Sequence, residues 1–361
     1  MLEIKNPRIY LNAPGVINES GSYIKKIGAN PLILAGKKAW DAVAEPLSKS
    51  FEDAGLSYEN LYYFDAYPSQ TQFDKYIELV ITHKHDVIIG IGGGRVLDTA
   101  KAVGNLSQVP IVTIPTVAAQ CAAWAAVTIQ YDDEGAYVRG RWNEFAPQLV
   151  IADPKVMLSA PVRYTYAGIV DTFAKWYENA PSLDLDATSA TTRIATYAAR
   201  VAFEKLEESG IKALSEAQEN IFSQASVDVV DAIEYLAGFV GSVTQTGRSY
   251  YGFAHPFYHD STRLAHTRVK LHGEKVAFGI VAQLFLEKKP KKEIEETIRL
   301  FGKYKNAFVL EDFAIKDSVD ADLDFLSEDI LKEFDYVPYS KEDIKQALLD
   351  ADNFTKEVLG Y

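Results

Sequence analysis

The chain has 361 residues, a net charge of −13 at pH 7 and 48% hydrophobic residues, so it is long enough for two domains with packed cores. Its acidic residues are spread along the sequence, which argues against a nucleic-acid partner, because phosphate binding needs a concentrated basic surface. Cys121 is the only cysteine, and this excludes disulfide frameworks and multi-cysteine metal sites within the chain. No apolar run approaches the ~18 residues of a membrane span, and residues 1–30 lack a secretory signal pattern. We therefore expect a cytoplasmic protein with no membrane partner.

The first half of the chain alternates short apolar runs with amphipathic stretches. Helical spacing is seen, for example, in Ala39–Ala54 and Ser69–His83. The runs predicted to be strands are Pro31–Gly36, Leu61–Phe64, Asp86–Ile91, Ile111–Ile114, Val127–Tyr131 and Gln148–Ala152. This alternation predicts a mostly parallel sheet with helices on both faces.

Helical spacing dominates after Asp153-Pro154. The predicted segments are Tyr164–Asn179, Leu185–Glu208, Ser215–Val243, Gly273–Leu286, Lys291–Tyr304 and Lys341–Leu349. Pro154 and Pro161 bracket a short connection, so we place a domain boundary near residues 154–162. The prediction is an α/β domain over residues 1–157 followed by an all-helical domain over residues 158–361. Ligands of such proteins usually bind in the crevice outside the carboxyl ends of the strands.

A glycine-rich turn follows the third predicted strand, in D-V-I-I-G-I-G-G-G-R-V-L-D-T-A-K-A-V-G at residues 86–104. Glycines let backbone N–H groups approach a phosphate, and the N-terminus of the following helix favours negative charge. The usual dinucleotide fingerprint is absent, because Arg95 stands where its third glycine should be, and there is no Walker Gly-Lys-Ser/Thr. The turn alone is compatible with a phosphate cradle or with a tight strand–helix corner.

Four of the six histidines fall in one stretch, at His255, His259, His266 and His272. Neutral imidazole is the commonest protein ligand for zinc and related metals. Upstream, Asp171 lies in the apolar, helix-patterned segment A-G-I-V-D-T-F-A-K-W-Y-E. Two histidines and a carboxylate make the ligand set of an open catalytic metal site. The alternatives are a salt-bridged Asp171 and ordinary hydrogen-bonded histidines.

The ordered motifs resemble those of the iron- and zinc-dependent alcohol dehydrogenases, in the glycerol dehydrogenase branch. G-I-G-G-G-R-V-L-D-T-A-K-A-V resembles the diphosphate-binding motif, and I-P-T-V-A-A at residues 114–119 resembles a second nucleotide-contacting loop. A-G-I-V-D-T-F-A-K-W-Y-E and L-H-G-E-K-V-A-F-G resemble the metal-binding segments. The resemblance implies a dinucleotide-binding domain followed by a helical, metal-binding catalytic domain, in a protein that is commonly a homo-oligomer.

By motif, the resemblance implies that Asp171, His255 and His272 bind one divalent metal, zinc or iron. It implies cofactor contacts at Gly92, Gly93, Gly94, Asp98, Thr116 and Tyr131. The bound cation would act as a Lewis acid on a carbonyl or alcohol oxygen, and hydride transfer would belong to a nicotinamide cofactor.

One departure from the glycerol dehydrogenases concerns the substrate. Those enzymes carry an aspartate where this chain has Cys121, in A-A-Q-C-A-A-W. Together with D-T-F-A-K-W-Y-E, this stretch resembles the hydroxycarboxylate dehydrogenases, which reduce 2-oxo acids. Lys175 lies one helical turn after Asp171 and could offset a substrate carboxylate, while Trp124 could shape the pocket. The structural alternatives are a small packing cysteine, a core tryptophan and a surface lysine.

The cofactor and two of the histidines also depart from the pattern. NAD-preferring relatives usually carry an acidic residue after the strand P-L-I-L-A-G, where this chain has Lys37 and Lys38. A lysine at a helix start is mildly unfavourable, so Lys37 favours NADP(H), with NAD and a solvated lysine as alternatives. Tyr258 replaces a family histidine. We interpret His259 as a pocket residue with a catalytic role and His266 as a surface-loop residue.

The functional prediction is a metal-dependent dehydrogenase that transfers hydride between NADP(H) and a small 2-oxo or 2-hydroxy acid. Three alternatives stay open: NAD-dependent oxidation of glycerol or another polyol, a sugar-phosphate cyclase of the dehydroquinate synthase type, and a metal-less nucleotide-binding relative. In each case the partner is a small molecule.

Overall fold

The structure is a computed structural model that describes residues 3–184, 189–244, 252–334 and 337–360. The strands are β1 (Ile9–Asn12), β2 (Pro31–Ala35), β3 (Leu61–Tyr63), β4 (Val87–Gly92), β5 (Ile111–Pro115), β6 (Val127–Tyr131), β7 (Tyr137–Trp142) and β8 (Leu149–Ala152). The helices are α1 (Ser20–Ile24), α2 (Lys37–Ala54), α3 (Gln70–His83), α4 (Gly94–Ser107), α5 (Pro154–Leu158), α6 (Val162–Asn179), α7 (Ala190–Gln218), α8 (Gln224–Val230), α9 (Ala237–Thr244), α10 (Ala254–Ser261), α11 (His272–Leu286), α12 (Lys291–Lys303), α13 (Val319–Glu333) and α14 (Lys341–Leu359). A π-helical turn, Asp231–Leu236, joins α8 to α9. Within these ranges, no helix is long and apolar enough to cross a membrane.

The predicted fold class is confirmed: six parallel strands form one sheet in the order β1-β8-β5-β4-β2-β3, and helices follow. Strand β4 is buried along its whole length, as expected for a parallel strand covered on both faces. The chain passes from β2 to β3 in one direction and from β4 to β5 in the other, so the strand order reverses between β2 and β4. Open α/β sheets bind ligands outside the carboxyl ends of the strands at such a reversal.

Several elements differ from the sequence prediction. Strand β1 was not predicted, because it has only four residues, all of them partly buried, and so short a run gives no clear pattern. The run Val127–Tyr131 is a strand, but it pairs antiparallel with β7 in a separate hairpin. The segment predicted to begin at Leu185 starts outside the described residues, and α7 then continues to Gln218.

The long helix predicted over Ser215–Val243 is interrupted. Asn220 adopts the left-handed conformation, with φ of 57°, which ends the helical path. Ser223 then starts α8 by accepting a hydrogen bond from the backbone N–H of Ala225, as N-cap residues do.

Two glycines allow close backbone packing around α6, one against the loop after β5 and one against α11. A Cβ on Gly168 in α6 would lie 2.1 Å from the carbonyl oxygen of Ala118, which follows β5. A Cβ on Gly273 in α11 would lie 2.0 Å from the carbonyl oxygen of Ala167. A side chain at either position would clash with backbone, so α6, α11 and the loop after β5 come into direct contact. The candidate site lies along this contact.

Candidate active site

Three predicted metal ligands converge between α6, α10 and α11. The Oδ1 atom of Asp171 lies 2.9 Å from Nε2 of His272 and 3.5 Å from Nε2 of His255. One donor atom from each residue lies within 4.8 Å of the other two. Two imidazole nitrogens and one carboxylate oxygen at this spacing fit a divalent cation such as zinc or iron(II) and leave coordination positions for a substrate.

Glu178 orients one of these histidines and was not singled out from the sequence. Its buried carboxylate lies 2.6 Å from Nδ1 of His255 and accepts a hydrogen bond from the His255 backbone N–H at 3.2 Å. This contact turns Nε2 of His255 toward Asp171, as carboxylates commonly do for metal-binding histidines. The spacing of seven residues from Asp171, two helical turns in an apolar segment, is the sequence signal that would have found it.

The charges around Asp171 favour its ionised form. Burial alone would raise the pKa of Asp171, but His272, Lys175 and the hydrogen bonds from His255 and His272 outweigh burial and hold the pKa well below its usual value. Burial lowers the pKa of His272 below its ordinary value, which favours the neutral imidazole that a metal requires.

Lys175 places a partly buried amino group beside the three predicted ligands. Its Nζ lies 3.1 Å from Nε2 of His255. Burial opposes the charge of Lys175, but the interactions with Asp171, Cys121 and Glu178 together outweigh burial and raise its pKa above the usual value. Lys175 is therefore a positively charged residue of the site and not a surface residue.

Cys121 lies within electrostatic range of Lys175 and Asp171, and burial raises the pKa of its thiol to about 11. The thiol is protonated at neutral pH, which does not suit a nucleophile. Glu234, in the π-helical turn, faces the same stretch and was missed from the sequence. Burial raises the pKa of Glu234 to about 8, although the backbone N–H of Ala123 and the charge of Lys101 act in the opposite direction.

A cleft of about 1370 Å³ runs from the carboxyl ends of β2 and β4 to His272. Of the predicted cofactor residues, those lining it are Lys37, Gly93, Gly94, Asp98, Thr116 and Tyr131. Gly92 is the last residue of β4, at φ of 152°, and turns the chain into α4. Asp98 is buried and its carboxylate lies 2.8 Å from Nζ of Lys101. The cleft thus joins the glycine turn to the metal ligands.

Lys37, at the start of α2, has a partner within the chain. Its Nζ lies 2.5 Å from Oδ1 of Asp41, one turn further along the helix, and 5.3 Å from the centroid of the Tyr63 ring. The prediction treated Lys37 as a helix-start charge in want of a ligand, whereas Asp41 supplies a counter-charge. Lys38 lines the cleft as well.

Three other predicted residues have partners besides the predicted metal ligands, although His259 stays within electrostatic range of His255 and His272. The ring of His259 is buried and packs 4.1 Å from that of Tyr137, and His259 does not line the cleft described above. Trp124 packs between Tyr10 and Tyr235, with ring centroids 5.4 and 5.0 Å away. His266 is hydrogen-bonded to Asp322 at 3.1 Å.

Tyr258 contributes a contact that the sequence did not predict. Its hydroxyl lies 2.7 Å from that of Tyr131, and its ring meets the imidazole of His272 edge to face at 4.0 Å. Tyr258 therefore connects the hairpin of β6 and β7 to the metal ligands.

Known proteins resemble the chain over most of its length. The family described as iron-containing alcohol dehydrogenase matches residues 7–154. A glycerol dehydrogenase of Escherichia coli O6:H1 (strain CFT073) is 32% identical over 99% of this chain and 98% of its own length. Hydroxycarboxylate dehydrogenase A of Escherichia coli K12 is 32% identical over 78% of this chain and 76% of its own length. The crystal structure of a probable glycerol dehydrogenase from Sinorhizobium meliloti 1021 superimposes with a TM-score of 0.87 at 25% identity, covering 99% of this chain and 100% of that one.

Replacing Glu178 by glutamine should weaken metal binding. The change removes the charge that holds Nδ1–H of His255, and loss of such a contact typically costs about 10- to 100-fold in metal affinity. Competition with a chelator, followed by metal analysis of the protein, measures the effect. Glu204→Gln, on the exposed face of α7, is the matched control. Equal affinities for the two variants would contradict the orienting role of Glu178.

Replacing Glu234 by glutamine should change how stability depends on pH. The unfolded carboxyl group loses its proton near its ordinary pKa of 4.5, whereas the folded group retains it up to about 8. Between these values only the folded state binds the proton, so the wild type loses stability as the pH rises through this window. Glu234→Gln should gain roughly 1 to 3 kcal/mol over the wild type between about pH 5 and about pH 9. Parallel urea-unfolding free energies for the two proteins across this range would contradict the burial of a protonated Glu234.

Proposed function

Because the chain belongs to the iron-containing alcohol dehydrogenase family, we propose that this oxidoreductase interconverts small 2-oxo and 2-hydroxy carboxylic acids with NADP(H). One divalent cation, zinc or iron(II), is held by Asp171, His255 and His272. The observation that carries the proposal is the positively charged, partly buried amino group of Lys175, 3.1 Å from Nε2 of His255. A positive charge in addition to a divalent cation suits an anionic substrate.

The surroundings of Lys175 support the same substrate class. Cys121 is a neutral thiol where glycerol dehydrogenases carry an aspartate, and Glu234 is mainly protonated at neutral pH because burial raises its pKa to about 8. A carboxylate substrate therefore meets no opposing negative charge from these two residues. Like charges in a closed pocket cost several kcal/mol, so their absence permits an acid to bind.

Each residue has a distinct role in the proposed reaction. The cation supplies Lewis-acid polarisation of the substrate oxygen, and the nicotinamide supplies or accepts the hydride. Asp171, His255 and His272 hold the cation, and Glu178 fixes the His255 ring. Lys175 binds the substrate carboxylate, and the neutral thiol of Cys121 places no negative charge against that carboxylate.

The cleft supports a dinucleotide that lies across the strand-order reversal. Gly93 and Gly94 begin α4, where backbone N–H groups and the helix N-terminus favour a diphosphate. The turn depends on glycine at Gly92, whose φ of 152° is a conformation that other residues rarely adopt. We assign residues 1–157 to cofactor binding and residues 158–361 to the metal and substrate.

Glycerol oxidation is the second candidate, and the match to a glycerol dehydrogenase over nearly the whole chain favours it. An uncharged diol has no use for the Lys175 ammonium, whereas a 2-oxo acid does. The response of the two substrate classes to removal of that charge therefore discriminates between them.

Replacing Lys175 by methionine should raise KM for 2-oxo acids about 10- to 100-fold, the loss expected for one charge-assisted contact. Turnover of metal-loaded enzyme is compared for a panel of 2-oxo acids and for dihydroxyacetone, with metal content checked in each preparation. The uncharged ketone should lose less than about threefold. Preference of the wild type for dihydroxyacetone over every 2-oxo acid would overturn the proposal in favour of polyol chemistry.

The cofactor preference should depend on Lys37 and Lys38, which border the cleft after β2. Their replacement by glutamine should reduce kcat/KM for NADPH about tenfold, the effect of losing roughly 1.4 kcal/mol of contact with a 2′-phosphate. The value for NADH should stay unchanged, because NADH lacks that phosphate. Lys25→Gln, on the surface before β2, serves as the control. A wild-type preference for NADH would contradict the proposed contact with a 2′-phosphate. Lys37 would then be interpreted as the ion-pair partner of Asp41 alone.

A further inference from the structure

The protein buries two lysines completely, and their partners differ. Nζ of Lys101 lies 2.8 Å from the carboxylate of Asp98 and also donates to the carbonyl oxygens of Ala125 and Val127. Nζ of Lys275 donates to the hydroxyl of Thr267 at 2.9 Å, and no ion pair joins Lys275 to an acidic residue in the described part of the chain. Buried charges are normally paired, because removal from water is costly. Lys275 lacks the counter-charge that Lys101 has.

A second cationic group, Arg268, lies within electrostatic range of Lys275. Burial and, to a smaller extent, the charge of Arg268 lower the pKa of Lys275 to about 7. Arg268 donates to the carbonyl oxygens of Thr262 at 2.7 Å and Glu134 at 2.6 Å, and it too forms no ion pair among the described residues. When Lys275 is protonated, the two positive groups therefore repel each other, and neither is paired with a carboxylate in the described part of the chain.

Both groups line the cleft that contains the glycine turn and His272. Lys275 also lies in the first turn of α11, which begins at His272, and a cation there is opposed by the helix dipole. Its Nζ is 5.9 Å from the ring centroid of Tyr258, the residue that packs on His272. An anion bound in the cleft would offset three unfavourable effects on protonated Lys275: the loss of its hydration, the repulsion from Arg268 and the dipole of α11.

We propose that Lys275 and Arg268 form an anion-binding subsite of the cleft, which receives a carboxylate or phosphate group of a bound ligand. The group has two possible sources, the diphosphate of the dinucleotide or an acidic group of the substrate. The substrate source rests on the proposed function, whereas the cofactor source does not. In either case the ligand supplies the counter-charge that the protein omits.

Calorimetric titration of the metal-loaded protein tests the subsite with three probes: ADP, NADPH, and oxamate in the presence of NADPH. Oxamate is a non-reducible analogue of a 2-oxo acid, so binding is measured without turnover. Lys275→Met and Arg268→Met should each weaken at least one probe by about 10- to 100-fold, as expected for a charge-assisted hydrogen bond. Arg268→Lys retains the charge and should stay within about fivefold of the wild type.

The probes identify the source of the anion. Weaker ADP and NADPH binding assigns the subsite to the cofactor, and weaker oxamate binding at unchanged NADPH affinity assigns it to the substrate. Lys292→Met is the control, because its exposed ammonium lies 3.9 Å from Glu296 on α12 and does not line the cleft.

Unchanged affinities for all three probes in both methionine variants would overturn the subsite, and a lowered melting temperature alone would leave Lys275 a structural partner of Thr267. If Lys275→Met does not fold, the Arg268 pair decides the question. Failure of wild-type protein to bind oxamate, with ADP binding still dependent on Lys275, would refute the 2-oxo acid and retain the subsite.

Discussion

The site depends on the carboxylate of Asp171, which stays ionised although it is buried away from water. Asp171 is 1% exposed, and an unpaired charge at such a position would cost several kcal/mol. His255, His272 and Lys175 surround it and compensate for the burial. Their arrangement requires α6, α10 and α11 to meet at one point, so the electrostatics of one residue constrain the packing of three helices.

Close backbone packing makes this meeting possible. Gly168 and Gly273 allow α6 to touch the loop after β5 and α11 to touch α6. The contact brings the Cys121 stretch, which belongs to the α/β half, within range of Lys175 and Asp171 in the helical half. The groups around Asp171 therefore come from both halves, and their geometry is sensitive to any added methyl group at the glycines.

Buried charge is distributed unevenly along this contact. Asp98 with Lys101, and Glu178 with His255, are matched within the protein. Lys175 is held by Asp171, while Lys275 and Arg268 have no acidic partner among the described residues. Glu234 is neutralised by its own protonation. The unpaired charge next to the cleft is therefore positive, although the whole chain carries a net charge of −13. This local positive charge favours anionic ligands.

The sequence by itself predicted the fold class, the glycine turn after β4 and the three residues whose donor atoms converge in the structure. These features depend on local spacing and on motifs. They can be recognised in the sequence because the strand, the turn and the start of the helix follow one another directly along the chain. The sequence did not find β1 or the break at Asn220, since short partly buried strands and single left-handed residues leave little periodic signal.

Only the tertiary structure decided which distant groups share a surface. Glu178 reaches His255 across 77 positions, Tyr258 reaches Tyr131 across 127, and Lys37 has Asp41 at hand where a ligand was expected. The tertiary structure also shows that His259 and Trp124 do not line the cleft. It shows that Lys275 is hydrogen-bonded to the hydroxyl of Thr267 and is paired with no carboxylate among the described residues. A side chain's charge state and partners depend on burial and on neighbours far apart in the chain, and spacing along the sequence carries no measure of either.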